Sequence, residues 1–159
     1  AAAQPRTTLE VVDASGHPTF WFWPNVDAGS DASSKMMRVY REQNDPQSIY
    51  FLKNLSPENF LRLLRGARCI VGNSSVGIRE SAYLGLPTVN IGERQRRRLR
   101  GPNVVDVDYD SGTLAEAIAK QWQAGRYPGS DIYGDGQAGP RIAQLLAETA
   151  LRIDKVISY

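Results

Sequence analysis

The stretch Gly72-Asn73-Ser74-Ser75 stands between an apolar run, 68–71, and a segment with helical apolar spacing. Two adjacent hydroxyls in such a turn can donate to an anion, and the start of the following helix would add unpaired N–H groups and the positive end of its dipole. The same serines also suit a plain helix cap. Gly77 admits close approach of a ligand or of another backbone. Glu80 lies one helical turn further on. With Gly77 as the cap, Glu80 would reach back to the helix's own N-terminus. Otherwise its carboxylate can accept from two adjacent ribose hydroxyls, as acidic residues do in nucleotide-binding α/β folds. A phosphate site beside a sugar acceptor points to a nucleotide.

Such residues act together only if the fold carries them to one edge. Runs at 18–23, 48–53, 68–71, 87–91 and 103–107 read as strands. Between the first two, Met36, Met37, Val39 and Tyr40 recur at near-helical spacing behind Ser33 and Ser34 as caps. Ser56 and Pro57 open a helix whose stripe is Phe60, Leu61, Leu63 and Leu64. A short helix ends near Gly85, the turn at 108–111 opens another, and a last one runs from about Pro140 to the C-terminus. Short strands with little polar alternation, interleaved with helices, predict an α/β domain with a doubly wound parallel sheet. Ligands there sit beyond the carboxyl ends of the strands, where Ser74 and Ser75 fall. The one histidine, His17, precedes the first strand and belongs at the opposite edge, as a loop residue.

Composition limits the rest. A chain of 159 residues fits one domain with its own core. A single cysteine, Cys69, in an apolar run excludes a disulfide framework and favours a reducing, cytoplasmic setting. No window approaches the ~20 apolar residues of a membrane span, and the first residues lack the order of a signal peptide. The net charge is only +2, yet five of the seven residues 94–100 are arginine. Without interleaved aromatics to stack on bases, that loop reads as solvated rather than as a nucleic-acid patch. Trp21, Phe22 and Trp23 read as core, and the loop 127–139 as a connection with Gly134 and Gly136 free to take positive φ.

Four segments, "GNSSVGIRE" (72–80), "PTVNIGERQ" (87–95), "PNVDAGSD" (24–31) and "IYGDGQAGPRI" (132–142), together resemble the UDP-N-acetylglucosamine 2-epimerases, and more closely the hydrolysing branch. The resemblance implies one half of a GT-B architecture: residues 1–159 form a single Rossmann-like, UDP-binding C-terminal domain, its N-terminal Rossmann-like partner lying outside this chain. It implies Ser74 and Ser75 on the UDP phosphates, Glu80 on the ribose, and Arg94 at or near the diphosphate. Asn25 would face the ligand, and backbone groups around Leu55 the uracil. The implied reaction converts UDP-N-acetylglucosamine and water to N-acetylmannosamine and UDP by elimination and then hydration, a step of sialic acid biosynthesis. It needs no metal or cofactor. The family's acid and base groups match nothing in these residues, so the isolated chain is expected to bind but not turn over. Implied partners are UDP or a UDP-amino sugar and the N-terminal domain; a homo-oligomer is compatible, whereas nucleic acid and membrane are not implied. Arg38 and Arg41 match positions tied in some members to feedback, and at i, i+3 they equally suit a solvated face. A non-catalytic nucleotide-sugar-binding or regulatory module is the alternative, with a nucleic-acid binder behind it.

Overall fold

The computed structural model describes residues 3–24 and 30–150. Among these, five strands, β1 (Thr19–Phe22), β2 (Ile49–Leu52), β3 (Ile70–Gly72), β4 (Thr88–Ile91) and β5 (Val104–Val107), lie between helices α1 (Ala3–Ala14), α2 (Ser30–Asn44), α3 (Pro57–Gly66), α4 (Glu80–Leu84), α5 (Ser111–Ala124) and α6 (Ala138–Glu148). Every strand pair is parallel, and helices flank the sheets, as a Rossmann-like α/β fold requires. The strands fall within two residues of their expected ends. They form two ladders rather than one: β1 with β2, and β3–β4–β5.

Caps explain where some helices begin. The Ser56 hydroxyl accepts from Asn59 N–H with Pro57 at the first helical position, and Asp110 accepts from Thr113 N–H at 2.9 Å. Two expectations change. Ser33 and Ser34 lie inside α2, which starts at Ser30, and α1 has no counterpart in the sequence reading. Thr7, Thr8, Val11 and Val12 lower the helix propensity of α1 and blur its periodicity. Tertiary packing overrides that: Leu9 and Val12 are buried where α1 meets α2 and α5.

One core cluster runs through Leu9, Met37, Ile49, Val89, Leu114 and Ile118, joining α1, α2 and α5 to both ladders. Each such side chain contributes about 1.5–3 kcal/mol on leaving water. Leu64, Ile78, Ala82 and Leu86 are buried outside that cluster, around α3 and α4. Gly85 ends α4 at φ +60°, where only glycine is unstrained, and a Cβ there would run into the Tyr127 carbonyl. No helix among the described residues is long and apolar enough to cross a membrane.

Candidate functional site

Because the strands are parallel, every turn that follows one lies at a single edge. Leu55 comes after β2, Ser74 and Ser75 after β3, and Arg94 after β4, whereas His17 precedes β1 at the other edge. His17 stacks flat on Trp122, with ring centroids 3.7 Å apart, a structural contact far from the serines' edge. Leu55 follows β2, in the β1–β2 ladder, whereas Ser74 follows β3 in the other; the Leu55 N–H donates to Asn54 Oδ1 at 2.9 Å. Asn25 lies outside the described residues.

The serine turn differs from a plain strand-to-helix junction. Gly72 takes φ +145°, then Ser74 caps a single 3₁₀ turn, Ser75–Gly77, its hydroxyl accepting from Val76 N–H. The α-helix begins only at Glu80 and is short, ending at Gly85 as expected, but the N-terminus expected directly after the serines is displaced beyond the 3₁₀ turn. Gly77 packs against the sheet: a Cβ would meet Thr88 Cγ2 at 3.1 Å, so it serves backbone approach and not a ligand. It is not the cap either, and Ser81 Oγ donates to its carbonyl. Glu80 therefore does not reach back in a capping box. Its Oε2 is buried without a hydrogen-bond donor, an arrangement that costs free energy until a donor arrives.

The arginine loop is built more firmly than a solvated loop. Gln95 is 4% exposed and donates to the Asn73 carbonyl at 2.9 Å, tying the turn after β4 to the turn after β3. Arg100 pairs with Asp106 at 2.6 Å and donates to the Gln95 carbonyl at 2.9 Å, and Asp106 also accepts from Asn90 at 2.6 Å. Arg96 pairs with Glu93. Arg94, Arg97 and Arg98 are exposed, and their guanidinium groups form no ion pair among the described residues. The Tyr133 hydroxyl closes the loop from outside by donating to Leu99 O at 2.7 Å. In the adjoining turn, the Arg141 guanidinium grips Asp135 through both oxygens and holds its carboxyl below the usual range. That pair accounts for the "YGDG" segment structurally. Gln95 escaped sequence reasoning, although it sits in the quoted "GERQ", because its partner is a backbone carbonyl 22 residues away.

An open cavity of about 450 Å³ lies one strand over, at the ends of β4 and β5, lined by Glu93, Arg96, Arg100, Asp106 and Asp108 among others. It does not include Ser74, Ser75, Glu80 or Arg94. Three carboxylates stand in its wall, two of them paired with Arg96 and Arg100. Among the described residues no group of three or more His, Cys, Asp or Glu converges as a metal site. Arg38 and Arg41 are not simply solvated: their guanidinium carbons stand 6.0 Å from the ring centroids of Trp23 and Phe51.

Known proteins place the chain. The family described as UDP-N-acetylglucosamine 2-epimerase matches residues 3–147. A UDP-N-acetylglucosamine 2-epimerase of Neisseria meningitidis serogroup B is 32% identical over 135 residues, 85% of this chain and 34% of that protein. A hydrolysing UDP-N,N'-diacetylbacillosamine 2-epimerase of Legionella pneumophila is 32% identical over 123 residues, 77% of this chain and 32% of the relative. A hydrolysing GDP/UDP-N,N'-diacetylbacillosamine 2-epimerase of Campylobacter jejuni is 32% identical over 116 residues, 72% and 29%. The chain thus spans about a third of the length of these relatives. With the match running from α1 into α6, the chain belongs to the UDP-N-acetylglucosamine 2-epimerase family.

Proposed function

We propose that this chain is the UDP-binding portion of a hydrolysing 2-epimerase acting on a UDP-linked acetamido sugar. The observation that carries the reading is the buried, undonated Oε2 of Glu80, just beyond the Ser74-Ser75 turn at the carboxyl edge of a parallel sheet. A ribose diol supplies the two donors that such a carboxylate lacks. Ser74 and Ser75 donate to the diphosphate, Arg94 adds charge, Asn25 faces the ligand, and backbone groups around Leu55 meet the uracil. "Hydrolysing" rests on the names of two relatives, the Legionella and Campylobacter enzymes. The reaction removes the C2 proton and expels UDP from C1 to leave a glycal; water then adds its hydroxyl at C1 and a proton at C2, giving the free 2-epimer. UDP leaves as a dianion or trianion that the serine hydroxyls and Arg94 stabilise.

The alternative is a nucleotide-sugar-binding module without chemistry, favoured by one observation: the only histidine, a natural acid or base, stands at the wrong edge. Calorimetric titration of the 159-residue chain tests the binding proposal. Glu80→Gln should weaken UDP by about 1.5–3 kcal/mol and leave pyrophosphate unchanged, whereas Ser75→Ala should weaken both. Equal loss of both ligands in Glu80→Gln would refute the ribose role. Release of 2-epimerised sugar from UDP-N-acetylglucosamine by this chain alone would exclude the module and show acid and base groups within it. Tight, salt-sensitive binding of DNA would instead favour the arginine loop as a polyanion site.

A further inference from the structure

β4 and β5 are neighbouring parallel strands, and such a pair is ordinarily joined through a helix packed on the sheet. Here residues 92–103 make the connection as a series of turns, with no helix among them. The backbone closes two turns in the arginine stretch, Arg96 N–H on Glu93 O and Arg98 N–H on Gln95 O, so side chains must fix the rest of the path. The path matters because Arg94 rides on it, one of five arginines within residues 94–100 whose like charges repel one another.

One side chain collects this stretch from inside. The Arg100 guanidinium donates to three carbonyls of its own connection, Gln95 at 2.9 Å, Arg96 at 3.1 Å and Arg98 at 2.5 Å. Its Nε stands 2.6 Å from Asp106 Oδ2, although that N–H is not aimed at the oxygen, so charge rather than an aligned hydrogen bond holds the pair. Asp106 is set in turn by a buried neighbour. Its register partner on β4 is Asn90, which is 1% exposed and donates to Asp106 Oδ1 at 2.6 Å. Contacts therefore run from the central strand through Asn90 and Asp106 to Arg100, and from Arg100 to the carbonyl of Gln95, the residue after Arg94. The Gln95 side chain carries them on to the Asn73 carbonyl, next to the serines.

We propose that Asp106 is a positioning residue for diphosphate recognition: by anchoring Arg100 it fixes the backbone that presents Arg94 beside the Ser74-Ser75 turn. The inference rests on the reading of Arg94 as a diphosphate contact. Without the carboxylate, Arg100 and the carbonyls it holds are free to spread under the mutual repulsion of the arginines, and Arg94 loses its fixed approach while the sheet beneath stays intact. The Asp106 side chain is 48% exposed, and a pair open to water to that degree adds little to global stability, so its effect is read in ligand binding and not in unfolding. The sign of the effect is diagnostic. A carboxylate acting only through space repels an anion, and its removal would tighten binding; a carboxylate that positions Arg94 weakens binding when it is removed.

Calorimetric titration of pyrophosphate and of UDP is carried out on four forms of the 159-residue chain: wild type, Asp106→Asn, Arg94→Ala and the double variant. Asparagine keeps the shape and the acceptor for Asn90 and removes the charge. Asp106→Asn should weaken both ligands by the same factor, on the order of 10-fold, and should change neither by more than about twofold once Arg94 is alanine. Adding Asp106→Asn to Arg100→Gln should likewise cost nothing further. Without ligand, the amides of residues 94–99 should exchange roughly 10-fold faster in Asp106→Asn while those of β4 keep their protection. Tighter binding by Asp106→Asn would overturn the proposal. So would a loss that persists in the Arg94→Ala background, or loop exchange that stays unchanged or rises only together with that of β4. A wild type that binds neither ligand would overturn the diphosphate reading itself, and this inference with it.

Discussion

Gln95 offers the sharpest test of how the site is held. Its side chain is 4% exposed, its amide N–H donates to the Asn73 carbonyl at 2.9 Å, and its Oε1 is buried without a donor. Gln95→Ala removes a net hydrogen bond worth about 0.5–1.5 kcal/mol and leaves Asn73 O unpaired at about 1–3 kcal/mol, but relieves the undonated oxygen, which refunds a similar amount. The balance, with a small cavity added, is a loss of about 1–2 kcal/mol. Gln95→Met fills the volume and removes both polar atoms, so it should cost less than Gln95→Ala. Gln95→Glu sets a buried carboxylate against the Asn73 carbonyl and should cost the most, about 3 kcal/mol or more. Urea unfolding gives these values, and amide exchange along residues 93–98 reports whether the loop detaches before the domain unfolds. Because Arg100 also holds the loop through the Gln95 carbonyl, exchange should rise in the loop without collapse of the sheet. Equal cost for Met and Glu, or unchanged exchange in Gln95→Ala, would refute the reasoning.

Gln121 is fully buried, donates to the Thr88 and Asn103 carbonyls at 3.1 Å each and accepts from Tyr127; Gln121→Leu should lower unfolding free energy by about 3–5 kcal/mol, and Tyr127→Phe by about 1 kcal/mol, in the same urea assay. Gly85→Ala combines a positive φ with a clash against Tyr127 O and should cost about 2–4 kcal/mol, seen as a lower thermal midpoint. Burial, and then the bond to Asp13, pushes Tyr40 up to about 12, and burial pushes the Cys69 thiol up to about 12. Both groups stay protonated in the fold after their unfolded counterparts ionise, so stability is full below about pH 9 and falls as pH rises toward 12. Tyr40→Phe should flatten the part of that fall above pH 10.

The strands were legible because apolar runs bounded by Pro, Gly and polar turns admit few other readings, and the caps of α3 and α5 were legible because Ser56-Pro57 and the acidic turn before Ser111 are local signals. The edge shared by Ser74, Arg94 and Leu55 followed from parallel pairing alone. The start of α4 was not legible: a 3₁₀ turn and an α-helix use the same apolar spacing over three residues, and what separates them here is Gly77 lying against Thr88, a contact 11 positions away. Gln95 and Gln121 look like surface residues in sequence, since their partners are distant carbonyls that only the finished sheet brings near. The YGDG turn hid its purpose likewise, because Asp135 and Arg141 are a pair only once the turn between them closes.

α1 and the divided sheet were missed for a common cause. A helix with Thr7, Thr8, Val11 and Val12 in its middle has little intrinsic preference for being one, and it forms because Leu9 and Val12 find cover against α2 and α5. A parallel strand likewise reads as buried from its apolar run, and nothing in "TFWF" or "CIVG" states whether both neighbours are present. Periodicity reports which face of an element is apolar; it carries no information on what lies beside that element. The half-buried residues of β1 and β3, beside the fully buried β4, are the physical record of that difference. The same logic bears on the serine turn, which is held from beyond its own segment: Gly77 lies against Thr88, and Gln95, after β4, donates to the Asn73 carbonyl.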